Sequence, residues 1–198
     1  MARLLSPGLF GAEVVDRGQD APLDPAEAVH VAKAGESRRR DFALGRACAR
    51  AALAGLGHGD AVISIGAGGA PVWPPGIVGS ITHTRGYAAA LAADEGLFRA
   101  LGLDAERIGG VAENLFPRLF TPQERAGLAA LDGAARAETA TLFFSAKEAF
   151  FKTGLAGTRL SFHDIAVART RDGFLANGHP GRFAVGNGLL LAALAIAV

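Results

Sequence analysis

Ten residues, Phe143-Phe-Ser-Ala-Lys-Glu-Ala-Phe-Phe-Lys152, carry the densest chemistry in this chain. Ala, Lys and Glu favour helix, no Gly or Pro interrupts, and apolar residues recur at three and four, so the stretch predicts a helix. Glu148 then shares a face with Phe144 behind it and Phe151 ahead, and Lys152 lies one turn further on. A carboxylate between two phenylalanines borders a core and is partly desolvated. With Lys147 beside it, the segment sets one acid and two ammoniums at the lip of an apolar helix, which suits a metal and a phosphate together. An ordinary amphipathic helix with a Glu-to-Lys pair at i, i+4 has the same letters. Leu97–Glu106 reads as a strand, which places Asp104 and Glu106 on one face and Leu103 and Ala105 on the other. Hard oxygen ligands at that spacing suit Mg²⁺, which keeps waters and adds substrate phosphates. Asp-x-Glu is also a common pattern with no such role.

The arginines form a third set. Arg38 and Arg46 sit eight apart in a helix read over Ser37–Leu53, so they point roughly the same way. Two guanidinium forks on one side can hold a dianionic phosphate, and a solvated basic face would look alike. Further on, Val78-Gly-Ser-Ile-Thr-His-Thr-Arg-Gly86 brings small residues whose backbone N–H groups could approach a ligand, with Ser80, Thr82 and His83 in the run. His83 reads as a structural histidine as readily as a ligand.

The remaining elements are those that must position these side chains. Leu4–Val15 reads as a first strand region, and Asp24-Pro-Ala-Glu27 starts a helix running to Ala34. Val62–Ile65, Tyr87–Ala93, Leu160–Arg169, Phe174–Ala176 and Leu189–Val198 read as strands, with Asn187-Gly188 a hairpin turn. Thr121-Pro-Gln-Glu124 is a capping box whose helix extends to Leu131. A faint internal echo places a basic residue four after a Phe on two helices, Phe42 to Arg46 and Phe143 to Lys147.

Composition sets bounds. Of 198 residues half are hydrophobic and a fifth charged, which gives a globular chain with a real core. A net charge of +1 provides no global basic field for nucleic acid. The single cysteine, Cys48, allows no disulfide within the chain and reads as a small buried residue. No secretory h-region and no membrane span is expected, so the location expected is cytoplasmic.

Taken together, Gly102-Leu-Asp104-Ala-Glu106 followed by Phe144-Ser-Ala-Lys147-Glu148-Ala-Phe-Phe-Lys152 resembles the paired motifs of the 4′-phosphopantetheinyl transferases. Upstream, Arg38 to Arg46 with Cys48-Ala-Arg50, Pro71-Val-Trp73-Pro74 and Gly79-Ser80-Ile-Thr-His83 resemble the larger, monomeric Sfp-like class, and within it the enterobactin synthase component D subgroup. The resemblance runs from about Arg38 to the end. It implies an α+β fold of two similar halves, 1–100 and 101–198, related by a pseudo-twofold axis with CoA in the cleft between them. The implied reaction moves phosphopantetheine from CoA to a serine of an apo acyl, peptidyl or aryl carrier protein. By resemblance, Asp104, Glu106 and Glu148 hold Mg²⁺, Glu148 also serves as base, and Lys152 steadies the departing phosphate. Arg38 and Arg46 grip the CoA 3′-phosphate, with Lys147 and His83 also on CoA phosphates and Ser80 and Thr82 nearby. One departure stands out: Gly68-Gly69-Ala70 stand where many relatives carry a basic residue before Pro-x-Trp-Pro. Two other classes compete. A different Mg²⁺-dependent phosphotransferase would normally need a Gly-x-x-x-x-Gly-Lys-Ser/Thr loop, which is absent from the sequence. A nonenzymatic nucleic-acid or carrier-binding module would have no need of the three acids.

Overall fold

Alternating small apolar residues along one strand explain how the first part of the chain packs. In the computed structural model, which describes residues 1–155 and 160–198, the chain divides into two compact units. Unit 1 comprises Met1–Leu101 with Ala197–Val198, and unit 2 comprises Gly102–Ile196. Their elements, in chain order, are β1 (Leu9–Val15), α1 (Pro25–Ala28), α2 (Glu36–Ala54), β2 (Ile77–Thr84), β3 (Tyr87–Asp94), β4 (Phe98–Arg107), α3 (Phe116–Leu119), α4 (Pro122–Ala129), α5 (Gly133–Lys152), β5 (Val167–Arg169), β6 (Phe174–Ala176), β7 (His179–Gly186) and β8 (Leu189–Ala197). The class is α+β.

In unit 1 an antiparallel sheet of order β1-β3-β2 carries α2 on one face. Ala88, Ala90 and Ala92 alternate along β3 and meet Leu44, Cys48, Ala49, Ala52 and Leu53 of the helix. Alanines on the strand let the helix lie close, and burying a leucine such as Leu53 contributes about 1.5–3 kcal/mol. Cys48 is one of these core residues. Its thiol donates to the Ala88 carbonyl at 3.5 Å, and burial pushes its pKa up to about 11, so it is inert as a nucleophile.

Unit 2 is built round α5, which is longer than the sequence suggests because it continues back from Phe143 to Gly133. The sheet order is β4-β8-β7-β6-β5. Asn187 and Gly188, at φ +53° and +73°, form the turn between β7 and β8, as the Asn-Gly pair requires. Among the described residues, no helix is long and apolar enough to cross a membrane.

Several sequence expectations are corrected. The first strand begins at Leu9, after a 3₁₀ turn at Ala2–Leu4. The helix after Asp24 stops at Ala28 and tightens into a 3₁₀ turn over Val29–Val31. Leu160–Arg169 is strand only over β5, because Ser161 and Asp164 close a capping box round a 3₁₀ turn. Val62–Ile65 is not a strand: its pairing is limited to an isolated bridge of Ile65 with Pro71 and the Val72 N–H to Ser64 carbonyl bond, and side chains take the backbone groups of Ile63. The Ile63 N–H donates to Glu27 Oε1 at 2.9 Å, and its carbonyl accepts from Arg46 Nε at 2.7 Å.

Glu27 belongs to a device that both units use. It closes the capping box with Asp24, is fully buried, and accepts from Arg50 Nη1 at 2.8–2.9 Å as well as from Ile63. In unit 2, Glu124 closes the box with Thr121, accepts from Lys147 Nζ at 2.6 Å and from the Val167 N–H at 2.7 Å. The acid and its cation are 23 residues apart in both units. By role, then, Lys147 answers to Arg50, and the Phe42/Arg46 echo with Phe143/Lys147 is out of register.

Candidate active site

The acids meet on β4. Gly102, Asp104 and Glu106 share one face of that strand by alternation. Gly102 allows the helix in: a Cβ there would lie 1.9 Å from the Ala149 carbonyl oxygen of α5. Further along, Thr141 Oγ1 accepts from the Gly109 N–H at 3.1 Å. These two contacts lay α5 along β4 and turn Glu148 and Lys152 toward its acid face. Lys152 Nζ donates to Asp104 Oδ1 at 2.7 Å and to the Leu103 carbonyl at 3.0 Å. Asp104 is buried, while Glu106 and Glu148 are half-buried. Phe162 stacks on Phe144 at 5.7 Å and tilts against Phe151 at 5.3 Å, so aromatic rings line the Glu148 side of the helix.

This setting shifts the acids. Burial first, then the charges of Asp104 and Glu148, push Glu106 up to about 7, with Lys152 pulling the other way. Burial and Asp104 likewise raise Glu148, again opposed by Lys152. A raised carboxyl binds a proton that the unfolded chain has lost, so Glu106 removes stability as pH rises from about 4.5 through about 7. Among the described residues of unit 2, these three carboxylates gather round the Lys152 ammonium, and a hard dication suits such a set of oxygens. Among the described residues, no three acid, imidazole or thiol side chains are already closed round a point as metal ligands are. The donor chemistry nonetheless fits Mg²⁺, a hard cation that takes carboxylate oxygens and fills its remaining positions with water and phosphate.

Unit 1 holds a basic pocket of about 140 Å³, lined by Arg38, Asp41, Arg46, Gly69, Pro71 and His83 among others. Arg38 Nη1 donates to His83 Nε2 at 2.8 Å, which makes that ring nitrogen the acceptor. Arg46 is 5% exposed, stacks over the Phe42 ring at 4.1 Å and gives its Nε to Ile63. Burial lowers its pKa, yet a guanidinium remains charged at neutral pH. Trp73 covers β2, since a Cβ on Gly79 would lie 2.4 Å from its ring.

Residues 26–93 match the family model "4′-phosphopantetheinyl transferase N-terminal domain", and residues 100–185 match "4′-phosphopantetheinyl transferase superfamily". The chain is 38% identical to the 4′-phosphopantetheinyl transferase Svp of Streptomyces mobaraensis, over 90% of this chain and 82% of that protein. The chain belongs to the 4′-phosphopantetheinyl transferase family. It is also 42% identical to the transferase Npt of Nocardia iowensis, over 75% of this chain and 66% of that one. With enterobactin synthase component D of Escherichia coli strain K12 it shares 35% identity, over 68% of this chain and 63% of that one.

Within this transferase, unit 2 brings together Asp104, Glu106, Glu148 and Lys152, and unit 1 brings together Arg38, Arg46 and His83. Three expected CoA contacts are placed elsewhere. Lys147 is not at the site lip: it lies about 200° round α5 from Ala149, which marks the β4 side. It is fully buried, and its ammonium donates to Glu124, to the Leu119 carbonyl and to the Phe162 carbonyl, the last two at 2.9 Å. Burial lowers its pKa, and Glu124 opposes that. Ser80 and Thr82 are buried on the face of β2 opposite His83 and Ile81, so alternation separates them from the basic pocket. Asp41 in the pocket wall and Glu124 beneath Lys147 were not expected. The signal for Glu124 was the capping-box acid followed by a cation at one fixed spacing in both units.

Proposed function

We propose that this chain transfers the phosphopantetheine arm of CoA to the serine hydroxyl of an apo carrier protein, releasing adenosine 3′,5′-bisphosphate. The observation that carries this reading is the meeting of Asp104, Glu106, Glu148 and Lys152 on one face of unit 2. Asp104, Glu106 and Glu148 would hold Mg²⁺, which when bound would offset the charge of the CoA pyrophosphate. Glu148, raised by burial, accepts the serine proton directly or through one water as the hydroxyl attacks the β-phosphorus. The bond from that phosphorus to the bridging oxygen breaks, and Lys152 meets the charge left on the bisphosphate. No protein nucleophile is required, which agrees with the inert Cys48.

Arg38, Arg46 and His83 read the 3′-phosphate of CoA. Asp41 repels an anion from its side of the pocket, which leaves the guanidinium side for the phosphate. Arg38→Ala is expected to weaken CoA by about 10- to 100-fold, from a charge-assisted bond worth about 1.5–3 kcal/mol, and to leave dephospho-CoA nearly unchanged. Equal losses for both ligands in calorimetry would remove the 3′-phosphate from this pocket. The function itself is tested by mixing the chain with CoA, Mg²⁺ and a panel of apo carriers. Mass spectrometry should show at least one carrier gaining the arm, and no gain on any carrier with Mg²⁺ present would defeat the reading.

A further inference from the structure

One more polar group lies on the acid face of unit 2. Ser145 is fully buried, and its Oγ has no hydrogen-bond partner. A serine within a helix often turns its hydroxyl back to the carbonyl four residues earlier, here that of Thr141, and Ser145 makes no such bond. A buried hydroxyl with nothing to bond is unfavourable, so its presence calls for a partner in another state.

The position of the side chain identifies that partner. At about 100° per residue, Thr141, Ala149 and Lys152 all lie within about 40° of Ser145 round α5. Each of the three meets β4 or the turn that follows it: Thr141 at Gly109 in the turn, Ala149 at Gly102 and Lys152 at Asp104. Ser145 stands between Thr141 and Ala149 along the helix, so its hydroxyl faces β4 between Gly109 and Gly102. The strand residues facing the helix in that interval are Asp104 and Glu106. Ser145 is midway between Thr141 and Ala149, so it falls opposite the middle of the Gly109–Gly102 interval, nearer Glu106 than Asp104, whose Oδ1 already accepts from Lys152.

We propose that Ser145 is a positioning residue for Glu106: its hydroxyl donates to one carboxylate oxygen and leaves the other for the divalent cation. This rests on the metal reading given above for Glu106. Groups that orient a ligating carboxylate without touching the ion typically change metal affinity by about 10- to 100-fold. They also explain why a buried hydroxyl would be kept at a place where a methyl group would pack as well.

The test uses Mn²⁺ as probe, titrated into the full chain with saturating CoA and followed by its paramagnetic resonance. Ser145→Ala should lower Mn²⁺ affinity by about 10-fold, while its melting temperature stays at or above that of the parent, since no bond has been lost from the metal-free fold. Ser145→Cys, a weak donor of similar size, should fall between the two. In a Glu106→Gln background, Ser145→Ala should cause no further loss, because the two changes act on one interaction. A Ser145→Ala chain that melts like the parent and binds Mn²⁺ equally well overturns the proposal and leaves the metal reading intact. Losses that add in the double variant overturn the assignment to Glu106. A Ser145→Ala chain that fails to fold also overturns it, by making the hydroxyl a structural bond. A parent chain that binds no Mn²⁺ overturns the metal reading itself.

Discussion

Lys147→Ala should destabilise unit 2 by about 3–5 kcal/mol, the usual result of removing one partner of a buried ion pair. The side chain of Glu124 is 4% exposed, so loss of the ammonium leaves a buried carboxylate with only backbone donors, Thr121 and Val167. The Leu119 and Phe162 carbonyls lose their shared donor at the same time. At about 2–4 °C per kcal/mol for a chain of this size, the melting temperature should fall by about 6–20 °C. CoA affinity, measured by calorimetry at a temperature where the variant is folded, should stay near that of the parent. A Lys147→Ala chain with the parent's melting temperature but weak CoA binding would return this lysine to the phosphates. Arg50→Ala makes the same change in unit 1 with a smaller expected loss, because the Arg50 side chain is 22% exposed and water can replace part of its role.

The contrast between Lys147 and Lys152 shows what the sequence could and could not express. Local signals survive well. The 3.6-residue period found α2 and α5, alternation put Asp104 and Glu106 on one face, and Asn187-Gly188 fixed the β7–β8 turn. These depend only on neighbours in the chain. Which side of a helix becomes core depends on partners far away in sequence. Lys147 reads as a solvent-seeking charge until Glu124, Leu119 and Phe162 are known to surround it. Lys152, five residues on, lies on the β4 side, and its carboxylate partner Asp104 is 48 residues away rather than one turn back. Val62–Ile65 falls short of a strand for the same reason: its letters favour a ladder, but Glu27 and Arg46 claim the Ile63 backbone and leave an isolated bridge at Ile65. Ser80 and Thr82 lie an odd number of residues before His83, and a strand sends such positions to the opposite face. The motif resemblance gave the family, while the sorting of its residues into core and site required the fold.

Lys152→Ala should reduce transfer at saturating CoA and carrier by about 10²-fold or more. In the structure this ammonium neutralises Asp104, whose residue is 5% exposed, and it opposes the upward shifts of Glu106 and Glu148. When pyrophosphate is cleaved, new negative charge develops on the leaving bisphosphate beside this face, and a cation on the lip is then worth more than in the ground state. The interaction should therefore appear in kcat rather than in CoA affinity. Metal affinity separates this from a plain loss of the site. Removing a positive charge from among three carboxylates makes the face more attractive to a dication, so Mn²⁺ should bind Lys152→Ala as tightly as the parent or more tightly. Asp104→Ala should do the opposite, losing both Mn²⁺ binding and transfer, because it removes an oxygen ligand. Single-turnover transfer, read alongside Mn²⁺ and CoA titrations, decides the matter. A Lys152→Ala chain that transfers at the parent rate once saturated would reduce Lys152 to the ion pair with Asp104. One that loses Mn²⁺ and CoA together would show that the ammonium holds the face in shape rather than acting on the leaving group.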